Sequence, residues 1–151
     1  MKVFSISNVK MADADFTGMK EAKLITVSKA GLTSIKLPAA PNLTDLNLDE
    51  NELTDVDFSP FPKLFSVSLI GNKIKTFDLS KAPSLNVAYL SSNKMKDSKL
   101  DNPMLWNLDV SNNELESVSL DKLPQLEQLW LNANKLTKVD VSKNTNLRVL
   151  N

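Results

Sequence analysis

The sequence predicts a solenoid, α/β by convention but mostly β, in which short parallel strands stack turn upon turn. Three observations carry this. The phrase L-x-x-L-x-L-x-x-N-x-L occupies Leu43–Leu53 and recurs at Leu64–Ile74, Leu85–Met95, Leu105–Leu115 and Leu126–Leu136, with starts 21 residues apart and one interval of 20. Inside each phrase apolar and polar residues alternate, as Leu46 and Leu48 do with Asp45, Asn47 and Asp49, the pattern of a strand with one buried face. The stretch between phrases has its own short apolar spacing and no room for a long helix.

The strand leucines explain why the turns must stack. Burying one leucine side chain contributes roughly 1.5–3 kcal/mol, but a single turn has nothing to bury it against, whereas stacked turns share one core. The asparagine has a different task. Where the chain bends away from the strand, backbone donors and acceptors point inward, and a buried amide can satisfy both kinds. Asn51, Asn72, Asn93, Asn113 and Asn134 are therefore expected to form a structural ladder.

Taken in order, the chain reads as a single domain over 1–151. Residues 1–21 form a degenerate first repeat or an N-terminal cap, with Met1, Phe4, Ile6, Met11 and Phe16 at apolar positions and Val9 where Asn belongs. Phe16, Met19, Lys20 and Lys23 also have helical spacing, but the degenerate repeat is the preferred reading. Residues 22–146 are the regular repeats. In the first of them Ile25, Val27, Leu32, Ile35 and Leu37 are apolar and Ala30 replaces the ladder Asn. Asn42-Leu43-Thr44 matches a glycosylation sequon, to which no role is attached. The later repeats each carry a return segment, such as Leu53–Ser59, Ile74–Ser80, Leu115–Asp121 and Leu136–Ser142, expected to be extended with brief strand or 3₁₀ character. Pro60, Pro62, Pro83, Pro103 and Pro124 follow, where a kinked return needs no backbone donor. The turn Leu85–Met104 is one residue short and places Ser98 at a usually apolar position, so local distortion and looser packing are expected on its outer side. Residues 147–151 begin another strand, an open edge that invites pairing with a second copy and suggests a fragment of a longer protein.

These phrases resemble those of leucine-rich repeat proteins over nearly the whole chain. The resemblance implies a right-handed solenoid with a parallel sheet on the concave face and extended or 3₁₀ returns on the convex face. The period of 21 and phrases such as Thr76–Leu85 and Lys138–Leu147 look like bacterial surface repeats of the internalin type, closest to the 21-residue subclass that some members build with a cysteine ladder. The equivalent positions here are Leu48, Leu69, Leu90, Val110 and Leu131. Neither the cap nor the immunoglobulin-like domain of that type is visible. The resemblance implies a secreted or cell-surface bacterial protein that binds a host or bacterial partner.

Composition narrows the chemistry. Lys plus Arg is 18 and Asp plus Glu is 18, so no net field points to nucleic acid or a membrane. No apolar run is long enough for a transmembrane helix, and no secretory leader pattern opens the chain. Without cysteine there is no disulfide, thiolate site or Cys nucleophile, and without histidine the commonest general base and metal ligand are gone. With Gly at 3, no phosphate-cradling loop is expected. Asp45 and Asp49 share a strand face, but side chains in a row on an open strand make no catalytic pocket. No enzyme and no cofactor is expected.

Alternation then places the outward strand residues in columns. One runs Leu24, Asp45, Ser66, Val87, Asn107, Gln128; the next Thr26, Asn47, Ser68, Tyr89, Asp109, Trp130; a third Ser28, Asp49, Ile70, Ser91, Ser111, Asn132. Tyr89 and Trp130 are two strands apart, roughly 10 Å, with Asp109 between them. Trp and Tyr are enriched at binding hot spots, although cross-strand aromatics also stabilise sheets. Tyr89, Trp130, Asp109, Asn107, Trp106, Phe65 and Ile70 are the candidate ligand-binding residues, with Trp106 and Phe65 at the rim. The expected partner is a protein; a carbohydrate ligand or a structural spacer with no ligand are the alternatives. Asp45, Asp49, Glu50, Glu52, Asp55 and Asp57 cluster in one repeat, either as a solvated surface or as oxygens for Ca²⁺. Lys73, Lys75, Lys94, Lys96 and Lys99 crowd the next two.

Overall fold

The computed structural model describes residues 2–151; Met1, assigned above to an apolar position, lies outside the described residues. Eight strands form one parallel sheet whose spatial order is the order of the chain: β1 (Val3–Ser7), β3 (Leu24–Ser28), β5 (Asp45–Asn47), β6 (Ser66–Ser68), β7 (Val87–Tyr89), β8 (Asn107–Asp109), β9 (Gln128–Trp130) and β10 (Val149–Leu150). A second, two-stranded sheet joins β2 (Asp13–Asp15) to β4 (Ser34–Lys36) on the return side. A 3₁₀ turn covers Leu79–Lys81. The chain is therefore a right-handed leucine-rich repeat solenoid, mostly β and with almost no helix, as its repeat predicts.

The core is one stripe along the solenoid axis. Phe4, Ile25, Leu46, Val67, Ala88, Leu108, Leu129 and Leu150 are successive partners in the sheet register. Most are fully buried, while Leu150 is 53% exposed. The convex wall adds Phe58 against Phe77, with ring centroids 5.3 Å apart, a tilted aromatic contact of the favourable kind.

Residues 2–21 hold two short strands and no helix. Strand β1 pairs with β3 over five residues, β2 pairs with β4, and Phe16 is buried against Phe4. The helical spacing of Phe16, Met19, Lys20 and Lys23 loses because the strand pairings supply backbone partners that one isolated helical turn cannot match.

The five asparagines sit at the bend and tie each turn to the one before. Asn93 Nδ2 donates to the carbonyls of Leu69 (2.9 Å), Leu90 (3.0 Å) and Ser91 (3.2 Å), and its Oδ1 accepts from Ile74 N–H (3.0 Å). Asn72, Asn113 and Asn134 repeat this arrangement. Asn51 takes two donors, Ala30 N–H and Leu32 N–H, and so serves the turn in which Ala30 has no amide to offer. The residue before each ladder position is left-handed: Asn8, Lys29, Glu50, Gly71, Ser92, Asn112 and Ala133 all have φ between 52° and 69°.

The short turn keeps an opening of about 350 Å³ on its outer side, lined by Thr76, Phe77, Asp78, Asp97, Ser98 and Lys99, and is tied down on either side of it. Asn102, fully buried on the outer side, donates from Nδ2 to Ala82 O at 2.9 Å and accepts from Met104 N–H at 2.8 Å. Beside it Lys99 bridges to Asp78, donating its N–H to Phe77 O and accepting from Leu79 N–H, both at 3.0 Å. A buried amide and a turn-to-turn backbone bridge compensate for the missing residue.

Candidate functional site

Parallel pairing turns the outward positions into straight columns. The register links Leu24, Asp45, Ser66, Val87, Asn107 and Gln128, and beside them Thr26, Asn47, Ser68, Tyr89, Asp109 and Trp130. The third column lies just beyond the strands, where backbone N–H groups of Lys29, Glu50, Gly71, Ser92 and Asn112 donate to Asp49, Ile70, Ser91, Ser111 and Asn132.

Tyr89 and Trp130 flank Asp109 in one column, and all three are half-buried. Side chains on the inner side of a curved sheet converge and shield one another, and Val87, Ser68, Ser91 and Ser111 are buried on the same face. Asp109 is also partly committed: its Oδ1 accepts from Ser111 N–H at 2.9 Å and Ser111 Oγ at 2.7 Å, an Asx turn that ends the strand.

Asn107 departs furthest from the expected open position, being only 4% exposed. Its Nδ2 donates to Gln128 Oε1 across the strands at 3.0 Å, while its Oδ1 is buried without a partner. Ile70 is half-buried, and its N–H donates to Asp49 Oδ1 at 2.8 Å.

Phe65 and Trp106 belong to a separate row on the flank, so the seven candidates are not one cluster. The row runs Thr44, Phe65, Asn86, Trp106, Glu127, Arg148, each N–H donating to the carbonyl of the residue before it at 2.8–3.0 Å. Phe65 is 46% exposed and Trp106 half-buried.

A depression of about 380 Å³ opens on the sheet between β3 and β7, lined by Leu24, Thr26, Asp45, Leu46, Asn47, Ser66, Ser68 and Tyr89. Trp130 does not line it. Asn47, Ser66 and Ser68, which sequence reasoning left in their columns without a role, and Asp45, which it placed in the acidic repeat, thus join Tyr89 as candidate residues. The available signal was size: two serines beside a tyrosine leave a step in the surface.

The acidic repeat disperses. Glu50 pairs with Lys29 (3.2 Å), and Glu52 with Lys73 (2.8 Å), whose hydrogen bond holds the Glu52 carboxyl below its ordinary range. Asp49 accepts from Ser68 Oγ (2.6 Å) and Asn47 Nδ2 (2.9 Å), and Asp57 from Ser59 N–H (2.9 Å) and Oγ (2.9 Å). Among the described residues no three acidic groups come together as a metal would need. The lysines are likewise spread: Lys99 reaches Asp78 at 3.6 Å and Lys96 reaches Glu114 at 4.0 Å. No helix of the described residues is long and apolar enough to cross a membrane.

No protein-family model and no curated protein matches the sequence. Solved structures do. The functional domain of InlJ from Listeria monocytogenes, which includes a cysteine ladder, matches with TM-score 0.58 and 23% identity over 94% of this chain and 41% of that one. TLR13 in its complex with ssRNA13 matches with TM-score 0.77 and 25% identity over 90% of this chain and 23% of that one. The LRIM1/APL1C complex gives TM-score 0.76 and 26% identity over 85% and 26%. The chain spans less than half the length of each. The internalin-type resemblance read from the repeat phrases thus has a counterpart at the level of the fold, without that protein's cysteines.

Proposed function

We propose that this leucine-rich repeat solenoid is a non-catalytic recognition module that binds a protein partner through its concave face. The observation that supports this best is the single column in which Tyr89 and Trp130 stand in register on either side of Asp109. Two large aromatics on a rigid sheet supply contact area at low entropic cost, as hot-spot residues do. The internalin-type phrases in the repeats favour a secreted or cell-surface bacterial setting. One structural neighbour was solved with ssRNA, but the concave columns here carry Asp45, Asp49 and Asp109 and no Lys or Arg among the described residues, the reverse of what phosphate requires.

The test is paired. Tyr89→Ala and Trp130→Ala should abolish retention of a cell-surface protein partner while thermal melting stays nearly unchanged. Unfolding by both substitutions would show that the rings are part of the scaffold. Carbohydrate is the second reading, favoured by the hydroxyl, amide and carboxylate lining beside Tyr89 in the depression. Tight, specific retention on a glycan array would put it ahead.

A further inference from the structure

We infer that the segment of the partner that docks on the concave face presents arginine or lysine side chains. This rests on the concave face being the recognition surface and adds the chemistry of what it recognises.

The chain is neutral overall, with 18 basic and 18 acidic residues, yet its charges are sorted. Among the described residues, no Lys or Arg occupies an outward position of the eight-stranded sheet or the third column beyond it; the charged residues there are Asp45, Asp49 and Asp109. The basic residues lie on the bends, the flank and the convex side, where several are paired with acids one turn away: Lys29 with Glu50, Lys73 with Glu52, Lys135 with Glu114, Arg148 with Glu127. These contacts partly neutralise the rims and leave the face acidic. Complementary charge steers encounter and selects partners.

A second observation is independent of charge. Asn107 gives its amide to Gln128, and its Oδ1 is left buried without a donor. A buried acceptor without a donor is a cost to the free protein, and an N–H relieves it once a docking side chain displaces what covers that oxygen. It lies one strand from both Val87 and Gln128 in the column beside Tyr89, Asp109 and Trp130. Arginine meets all these features: it is a donor without an acceptor, it pairs with carboxylates, and its plane stacks on aromatic rings. Lysine meets the first two and makes the weaker cation–π contact.

The experiment is selection of a random twelve-residue peptide phage library on the full chain, followed by binding of the winners to variants. Winners enriched in Arg and Lys over the unselected library are expected. Their affinity should fall about tenfold or more in Asp45→Asn/Asp109→Asn and be lost in Tyr89→Ala/Trp130→Ala, with melting of the first variant unchanged because Asn retains an acceptor for Ser111. Winners that need Tyr89 and Trp130 but show no Arg or Lys enrichment would overturn this inference and leave concave recognition standing. Winners indifferent to all four residues, or no winners at all, would count against both.

Discussion

At the scale of single residues, the bend of each turn is governed by two adjacent positions with opposite demands. The ladder position wants an amide, because Asn93 satisfies three carbonyls and one N–H belonging to two turns. Asn93→Ala should therefore destabilise the domain by roughly 1–3 kcal/mol in denaturant unfolding; a loss within error would mean that water replaces the amide. The position before it wants a left-handed backbone, which costs an L-residue about 1–2 kcal/mol. Only Gly71 meets that demand without a Cβ, while Ala133 sits at φ 56° and Ser92 at φ 58°. Ala133→Gly should stabilise by up to about 1 kcal/mol, a gain reduced by the greater freedom of glycine in the unfolded chain. The same unfolding measurement checks it, and a clear loss of stability would refute the backbone argument.

At the scale of elements, the return segments are shaped by short side-chain locks. Asp15, Asp57, Asp78 and Asp140 each hold the residue two positions on, and in each the carboxyl is held below its ordinary range. The leading causes are the Thr17 hydroxyl, the Ser59 N–H, the Ser80 hydroxyl and the Ser142 N–H respectively. A depressed carboxyl contributes stability that is complete above its unfolded value and is lost as pH falls through its folded one. Melting temperature is thus expected to fall below about pH 4, and a variant with all four aspartates changed to Asn should show a flatter profile there. An equally steep profile would remove these turns as the cause. Asn102 is the other device at this scale. It occupies the outer position that is Phe61, Ala82 and Leu123 in neighbouring turns, so Asn102→Leu restores the apolar pattern yet removes the turn-to-turn bond to Ala82 O, which keeps only Leu85 N–H, and the acceptor of Met104 N–H. A loss of about 0.5–1.5 kcal/mol is expected; a stabilised variant would show that the amide is incidental.

At the scale of the whole molecule, each turn touches only its neighbours, so stability is distributed along the axis and not gathered at one centre. Leu90 and Leu108 are sealed between turns, whereas Val139, Val149 and Leu150 are 41%, 38% and 53% exposed. Amide hydrogen exchange in this chain should be slowest over β6–β8 and fastest beyond Leu136; uniform protection would indicate all-or-none unfolding. The turn-to-turn ion pairs do not alter this expectation. They are solvent-exposed and screened by salt, so they contribute little to stability.

The sequence by itself determined the repeat, the strand register, the inward stripe and the asparagine positions. Each of these depends on a residue's place in a 21-residue period, and the period is visible in one dimension. Tyr89, Asp109 and Trp130 were legible as one column for the same reason. Tertiary structure alone decided how open that column is, that Phe65 and Trp106 stand apart on the flank, that Asn107 is buried with an orphaned oxygen, and that the acidic repeat disperses into separate pairs. Those facts depend on curvature and on contacts between turns, where side chains from different repeats converge or compete for the same partner. No period in the sequence encodes the outcome of that competition.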